Sequence, residues 1–292
     1  MKKNVEWIWR HMGIRLPSDW ELLQFSSEFT RGRCAFADRY QFRLELSWSI
    51  VKGEPDYTRM ISDYTSKLEQ EKKLTGKELI KKAGWHGFFG EMNGELTSRF
   101  GRYLGEIGCL VECVVLWTGE RDPDLEHDLV SSIRACPPHE GRQQWRAFGM
   151  HVFPPATAAF DGCVAQPART EFNFTNPKSG NKWNFSRYGM VKSWLFADVE
   201  SWLKSRLQTD ARDLRFYHKT MHAVDVVFAE GVFKPEGIHL HKGELQAAAW
   251  IAPEDGRLYQ VTQRLRKKHP GEQLPVETLL ISAPEFTPRI TS

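Results

Sequence analysis

Four histidines in the second half of the chain have spacings that could hold a metal ion. His218 and His222 are four residues apart in FYHKTMH, a spacing that on a helix would place both imidazoles on one face. His239 and His241, in IHLHKG, would point to the same face of a strand. Because neutral imidazole is a common metal ligand, these four residues define one candidate function, that of a metal-dependent enzyme.

The histidine pattern also has a simpler interpretation. If FYHKTMH forms a strand or a loop, the helical spacing loses its meaning, and no acidic residue completes a HExxH motif. The sequence therefore favours histidines that are exposed or hydrogen-bonded for structural reasons, and we predict no cofactor.

Other catalytic arrangements have little support in the sequence. Cys109 and Cys113 share a face of a strand-like run, but so do Val111 and Val115, which favours core packing. His86 has an acidic neighbour, Glu91, without a GxSxG elbow or a Cys and His signature. The chain also contains neither GxGxxG nor GxxxxGK[ST]. We therefore favour a protein without catalytic activity.

Charge and hydropathy narrow the partners. The formal net charge is only +3, and the basic runs Lys72–Lys82 and Arg264–His269 have the acidic run Glu120–Asp128 to offset them, so nucleic-acid binding is a second alternative and not the favoured one. The longest apolar run, Cys109–Trp117, is strand-sized and far short of the roughly 20 residues of a membrane span. We expect a cytoplasmic protein without a membrane span and with reduced cysteines, and an oligomer is compatible with the sequence.

Tryptophan is the one compositional peculiarity. The chain has 11 tryptophans, more than two small cores would use. We expect a minority of the aromatic residues to line an exposed apolar groove or a subunit interface, where such side chains tend to carry binding energy. The candidates are Trp7, Trp9, Trp183, Tyr188 and Trp194.

The elements that must position these residues can be read from the periodicity. Alternation in FRLELSWSI predicts a half-buried strand, and the helical spacing in DYTRMISDYTSKL predicts an amphipathic helix. Glycine-punctuated apolar runs predict antiparallel strands, and DPDLEHDLVSSIR predicts a second helix. After the Pro- and Gly-containing segment, strands, a helix in FADVESWLKSRL and further strands recur, with PVETLLISAPEF as the last segment.

The order of elements in the two halves suggests a repeated unit. WRHMGIRLP, which begins at Trp9, is similar to WRAFGMHVFP, which begins at Trp145. We predict that Gly13 and Gly149 mark the entry into the first strand of each unit, and that Trp9 and Trp145 pack at the same place. The predicted fold is α+β, as two tandem similar domains, each an antiparallel sheet with flanking helices. Their bounds are 1–136, a linker at 137–144, and 145–292.

A family resemblance rests on LPSDW, on the strand ending in LELSW, on the amphipathic helix and on the terminal DLVSSIR segment. This pattern resembles the PsbP-like fold shared with DcrB-like bacterial proteins, in tandem. The resemblance implies a sheet flanked by helices and a binding, assembly or chaperone role, in some cases as an adaptor for effectors of secretion systems. The expected function is a non-catalytic binding or adaptor protein that holds a protein or peptide segment.

Overall fold

The computed structural model describes residues 4–26, 28, 30–221, 223–233, 243–266 and 276. The chain divides into two units, Met1–Pro137 and Pro138–Ser292. The predicted terminal segment PVETLLISAPEF lies, apart from Val276, outside the described residues. Residues 137–144, the predicted linker, include a tight turn in which the backbone N–H groups of His139 and Arg142 each donate to the other residue's carbonyl at 2.9 Å.

The first unit is built mainly from strands. The amphipathic helix begins after Asp56, whose side chain accepts a hydrogen bond from the backbone N–H of Arg59 at 3.1 Å. The elements are β1 (Asn4–Trp9), β2 (Met12–Pro17), β3 (Glu21–Phe25), β4 (Arg31–Ala37), β5 (Phe42–Ile50), α1 (Tyr57–Gln70), β6 (Leu74–Lys82), β7 (Trp85–Met92), β8 (Glu95–Leu104), β9 (Cys109–Trp117), α2 (Pro123–Ser132) and β10 (Arg134–Ala135).

The second unit follows the same plan. A capping aspartate again opens the main helix, because the side chain of Asp198 accepts from the backbone N–H of Ser201 at 2.8 Å. The elements are β11 (Trp145–Ala147), β12 (Met150–Val152), β13 (Ala159–Gln166), β14 (Arg169–Thr175), β15 (Lys182–Tyr188), α3 (Val191–Trp194), α4 (Val199–Leu207), β16 (Ala211–Met221), β17 (Val224–Phe233), β18 (Gly243–Ile251) and β19 (Leu258–Leu265).

Each unit contains a seven-stranded antiparallel sheet, and the two sheets have the same strand order. The order is β3-β4-β5-β9-β8-β7-β6 in the first unit and β13-β14-β15-β19-β18-β17-β16 in the second. The fourth strand of each sheet, β9 or β19, is therefore the last of the seven in the chain and lies at the centre. A common origin of the two halves stays a prediction.

The predicted α+β class is wrong, because the described residues lie mostly in strands and the helices cover only parts of the sheets. Charged segments account for much of the difference between the predicted fold class and the observed strand content. Strands β6 and β16 consist largely of exposed residues and form an edge of each sheet. An edge strand can keep its polar side chains in water and still pair on one side. Such segments lack the apolar alternation by which strands are recognised in a sequence.

The two similar stretches form β-hairpins, but the predicted equivalence of Trp9 and Trp145 is wrong. The first turn residue has a positive φ in both hairpins, 57° at Arg10 and 50° at Phe148. Because Trp9 pairs with Met12 across the first turn and Ala147 pairs with Met150 across the second, Trp145 corresponds to Trp7. Gly149 lies in the turn and not at the start of a strand.

Edge-to-face ring contacts support this alternative equivalence. The ring of Trp7 packs at 89° against Phe36 with centroids 5.0 Å apart, and Trp145 packs at 68° against Phe174 at 5.3 Å. Phe36 lies in β4 and Phe174 in β14, the second strands of the two sheets.

Gly149 should be the less replaceable of two glycines with nearly the same backbone conformation. Its φ is 70°, and a Cβ there would lie 1.9 Å from Nη1 of Arg187, whereas Gly141, at φ 73°, has open space around it. We expect Gly141→Ala to lower the free energy of unfolding by about 1 kcal/mol through backbone strain alone. Gly149→Ala should cost about 0.5–1.5 kcal/mol more in urea unfolding, because the guanidinium end of Arg187 must move aside and give up its hydrogen bond to Thr170. Equal costs would contradict the close contact.

Candidate functional site

Three of the five predicted surface aromatics are core residues. Trp7, Trp9 and Trp183 are buried, contrary to the expectation of an exposed groove. Trp9 packs against Phe25 with ring centroids 4.9 Å apart. The indole N–H of Trp183 donates to Oε1 of Gln263 at 3.3 Å. Burial of this indole is thus accompanied by a hydrogen bond, as is usual for core tryptophans.

The other two predicted aromatics meet a third ring that the prediction did not include. Tyr188 packs against Trp194 and Trp202 with ring centroids 6.1 and 5.4 Å apart, and the two indoles are 6.1 Å apart. The indole N–H of Trp194 donates to the carbonyl of Gly189 at 2.8 Å, which fixes the short helix α3 against the end of β15. All three rings are half-buried.

Two large apolar side chains in the same segment lie in solvent. Met190, which has a φ of 54°, is 72% exposed, and Phe196 is 91% exposed. A folded domain gains no stability by exposing such side chains next to half-buried rings, so exposed apolar groups of this kind often mark a binding surface. We call Tyr188, Met190, Trp194, Phe196 and Trp202 the aromatic surface.

Beside this segment, one face of the second sheet carries rows of polar residues. Residues directly opposite each other on β14, β15 and β19 share a face, and alternate rows are polar. The intervening rows, such as Phe172, Phe185 and Val261, are buried and apolar. The polar rows are Glu171, Ser186 and Gln260; Asn173, Asn184 and Thr262; and Thr175, Lys182 and Arg264.

The polar rows border a cavity of about 590 Å³, which we call the polar groove. Leu207 and Asp210 line it near the C-terminal end of α4. The rest of that sheet face is covered, because Leu203 and Leu207 pack on the small side chains of Ala247 and Ala249. Helix α4 is thus too short to cover β14, β15 and β19, and the groove is the part that it leaves open.

Hydrogen bonds order the floor of the groove. The amide of Asn184 donates to Oδ1 of Asn173 at 2.8 Å, and the hydroxyl of Ser186 donates to Oδ1 of Asn184 at 2.7 Å. The amide of Gln260 donates to the hydroxyl of Thr262 at 2.9 Å. These side chains are therefore held in place before any ligand arrives.

One polar atom in the groove has no partner among the described residues. Gln260 is only 5% exposed, and its Oε1 accepts no hydrogen bond within the described part of the chain. Turning the amide around would only exchange the atoms, since Thr262 can bond to either end. A buried polar group left in this state typically costs about 1–3 kcal/mol, so a group that bonds to Gln260 at this position would lower the free energy of the folded protein.

In the first sheet, the residue that corresponds to Gln260 has a hydrogen-bond partner. Glu112 lies opposite Ser47 on the central strand, as Gln260 lies opposite Ser186. Arg99 donates to Glu112 at 2.6 Å and to the hydroxyl of Tyr64 at 2.7 Å. On the neighbouring strand of the second sheet, the place of Arg99 is taken by an alanine in the core under α4.

Tyr188 connects the groove with the aromatic surface. Its hydroxyl donates to Oε1 of Glu171 at 3.1 Å and accepts from the guanidinium of Arg206 at 3.3 Å. Arg169 donates to the same carboxylate oxygen at 2.8 Å. Burial raises the pKa of Tyr188, so this phenol is neutral and remains a hydrogen-bond donor at physiological pH.

The histidines are placed differently from the predicted metal site. His218 lies in strand β16, so the helical spacing assumed for this residue is wrong. Its Nε2 is 2.8 Å from Glu200 and its Nδ1 is 3.5 Å from Asp225. His222, His239 and His241 lie outside the described residues, and within those residues no three His, Cys, Asp or Glu side chains are grouped for a metal ion. The metal-dependent enzyme stays a prediction.

The cysteines are thiols with suppressed acidity, and all except the half-buried Cys163 are buried. Burial raises the pKa of Cys113 to about 12 and that of Cys163 to about 11. Cys109 is also buried, and burial raises its pKa. These groups are protonated at neutral pH, as expected for packing residues and not for nucleophiles.

Comparisons with known proteins leave the family open. No family model matches the chain, and no curated protein matches it. Among solved structures, the apo structure of the immunity protein TplEi of T6SS from Pseudomonas aeruginosa has a TM-score of 0.36 at 11% identity, covering 94% of this chain and 92% of that chain. Isotype 1 transferrin binding protein B from serogroup B Neisseria meningitidis has a TM-score of 0.13 at 10% identity, with coverages of 88% and 65%.

At these TM-scores the two likenesses support no conclusion about fold or function. The PsbP-like and DcrB-like resemblance is not addressed by either structure and stays a prediction. In the described part of the chain, every helix is too short or too polar to cross a membrane.

Exchanging Gln for Glu at position 260 and Glu for Gln at position 112 should change the free energy of unfolding by unequal amounts. Gln260→Glu would bury a carboxylate without the arginine that Glu112 has, so we expect a loss of about 1–3 kcal/mol in the free energy of unfolding at pH 8. The folded-state pKa of the new carboxyl would be raised, so the loss should shrink as the pH falls through that value and vanish below about 4, near the unfolded-state value. Unfolding in urea across this pH range measures the effect.

The mirror exchange is the control. Glu112→Gln should cost less than about 1 kcal/mol at pH 8, because both Glu112 and its partner Arg99 are about one-third exposed. A cost for Gln260→Glu that is independent of pH would mean that the carboxylate finds a partner in the groove.

His218 should titrate above its ordinary range. The hydrogen bond to Glu200 is the largest cause of its raised pKa, and the one to Asp225 is the next. In an NMR titration we expect Glu200→Gln to lower the pKa of His218, while Glu230→Gln, which alters a partner of Tyr217 instead, should leave it unchanged. The interaction of protonated His218 with these carboxylates stabilises the fold fully below about pH 6.5. This contribution is lost as the pH rises through the folded-state pKa of His218.

If Glu200→Gln destabilises the protein equally at pH 6 and pH 9, the charged pair with His218 does not contribute in this way.

Proposed function

We propose that this protein is a non-catalytic binding protein that holds a protein or peptide segment on the aromatic surface of its second unit. The observation that carries the proposal is Phe196, which is 91% exposed and two residues from the half-buried ring of Trp194. Burying a phenylalanine side chain typically contributes about 1.5–3 kcal/mol, which this residue can gain only by contact with another molecule or another segment of the chain.

The surroundings of Phe196 fit a binding role. Tyr188, Trp194 and Trp202 are held by mutual ring contacts and a hydrogen bond, so a partner would meet rigid aromatic side chains that lose little entropy. Arg206, whose guanidinium lies 6.0 Å from the ring centroid of Tyr188, supplies a cation beside these rings. Aromatic residues and arginine are the types that most often dominate binding energy.

The proposed occupant is a protein or peptide because apolar and polar binding elements adjoin. The aromatic surface would take apolar side chains, and the polar groove connected to it through Tyr188 and Glu171 would take polar groups of the same segment. Membership of a secretion or assembly system, an expectation from the family resemblance, stays a prediction.

Site-specific photocrosslinking in the host tests this proposal. Benzoylphenylalanine in place of Phe196 should capture one defined protein, identified by mass spectrometry. The matched control is the same substitution at Tyr40, which is 84% exposed but lies in the first unit. Identical capture at both positions, or no capture at position 196, would contradict the proposal.

Affinity for the captured partner should then depend on the exposed ring. We expect Phe196→Ser to weaken binding about tenfold or more while changing the free energy of unfolding by less than about 0.5 kcal/mol, because this side chain supports little of the fold. Tyr40→Ser should change neither quantity. Unchanged binding by Phe196→Ser would move the site away from the aromatic surface.

A further inference from the structure

We propose that the polar groove binds a neutral carboxamide, with the side chain of Gln260 as its recognition group. Together with the proposed function, on which this inference rests for the source of the ligand, the carboxamide would come from an extended peptide segment of the partner. Gln260 is nine-tenths buried, lines the groove and has one end of its amide without a partner among the described residues.

An amide ligand matches this deficit. A carboxamide offers both an N–H donor and a carbonyl acceptor, so it can bond to the unpartnered end of Gln260 whichever way that side chain is turned. This end is enclosed in the unliganded protein, so binding requires the side chain to turn toward the groove. A ligand that meets a buried unsatisfied group removes a cost that the free protein already bears, and this favours binding at this position.

The charges of the groove favour a neutral ligand over a cation. Arg264 is paired with Asp210, and the hydroxyl of Thr175 donates to Asp161. Glu171 accepts hydrogen bonds from Arg169 and Tyr188. The three carboxylates that line the groove are thus satisfied within the protein, and a cationic ligand would have to displace an existing interaction. Lys182 and Arg206 also line the groove, so an anion is the competing ligand that the comparison with acetate must exclude.

The spacing of the polar rows favours an extended peptide over a compact ligand. The row of Gln260 and the row of Thr262 are two residues apart along the strands, which is roughly 6.8 Å. Amide groups that point the same way in an extended peptide recur at this same interval. A cavity of about 590 Å³ lies within the usual size range for ligand sites.

Side-chain NMR of the full-length protein tests the inference without the natural partner. The probe is N-acetylglycine N-methylamide, a neutral compound with two amide groups. We expect it to shift the side-chain NH₂ signals of Gln260 in a saturable manner, with an apparent affinity at least fivefold higher than that of acetate or methyl glucoside. These comparators present a charge and hydroxyl groups, respectively, without an amide.

Two variants provide the contrast. Gln260→Met keeps the length of the side chain and removes its amide, so the probe should bind at least fivefold more weakly, judged from the shifts of Asn184. Gln24→Met, at an exposed position in the first unit, should bind the probe as the parent protein does. If Gln260→Met does not fold, the titration of the parent protein alone still decides the question.

The outcomes separate this inference from the proposed function. No saturable shift of Gln260 with the amide probe, or a stronger response to acetate or to methyl glucoside, would overturn the carboxamide assignment even if Phe196 captures a partner. Saturable binding at Gln260 without capture at position 196 would support the groove and contradict the partner site. Shifts that persist in Gln260→Met would place the probe elsewhere and also overturn the inference.

Discussion

The second unit depends on how much of its sheet one short helix can cover. Helix α4 packs its leucines on a sheet face made of small residues, and that contact closes the core over β16, β17 and β18. The helix ends at Leu207, and the strands beyond its reach must present side chains that tolerate water. Asn, Ser, Thr and Gln in the polar rows meet this requirement, and they also provide hydrogen-bonding groups at fixed positions on a rigid sheet.

The two sheets differ in how the polar residue on the central strand, Glu112 or Gln260, is hydrogen-bonded. In the first, a long side chain from the neighbouring strand reaches across, and the guanidinium of Arg99 lies 4.5 Å from the ring centroid of Tyr64 while it pairs with Glu112. In the second, an alanine is needed where the helix approaches the sheet, so no arginine can extend from that position. Close helix packing and an incompletely bonded Gln260 therefore have one cause.

Much of the secondary structure was accessible from sequence patterns, while the fold class was not. The alternation in FRLELSWSI corresponds to β5, and the three predicted helices correspond to α1, α2 and α4. Charged edge strands have no such signature, because their pairing satisfies the backbone whatever the side chains are. The correspondence between the two tryptophan hairpins depends on turn geometry. Alignment of identical residues pairs Trp145 with Trp9, whereas the position relative to the turn pairs Trp145 with Trp7.

The candidate site, like the fold, was only partly predictable from sequence patterns. The stretch from Trp183 to Phe196 contains four of the five residues of the aromatic surface. Trp183 itself is buried and donates a hydrogen bond to Gln263, on a strand far along the chain. No local pattern predicts that contact. Asn and Gln in β14, β15 and β19 alternate with apolar residues as on any half-buried strand, and only the register across three strands reveals that they form a groove.

The exposed edge strands also affect how copies of this protein meet in a crowded solution. A strand with free backbone groups is a template for adding another strand, and long edges are the usual starting point for sheet-to-sheet aggregation. In β6 the edge carries Lys77, Glu78 and Lys81, and in β16 it carries Arg212, Asp213 and Arg215. Pairing two such edges would strip the charged side chains of water, so the charged strands favour dispersion of the folded chain.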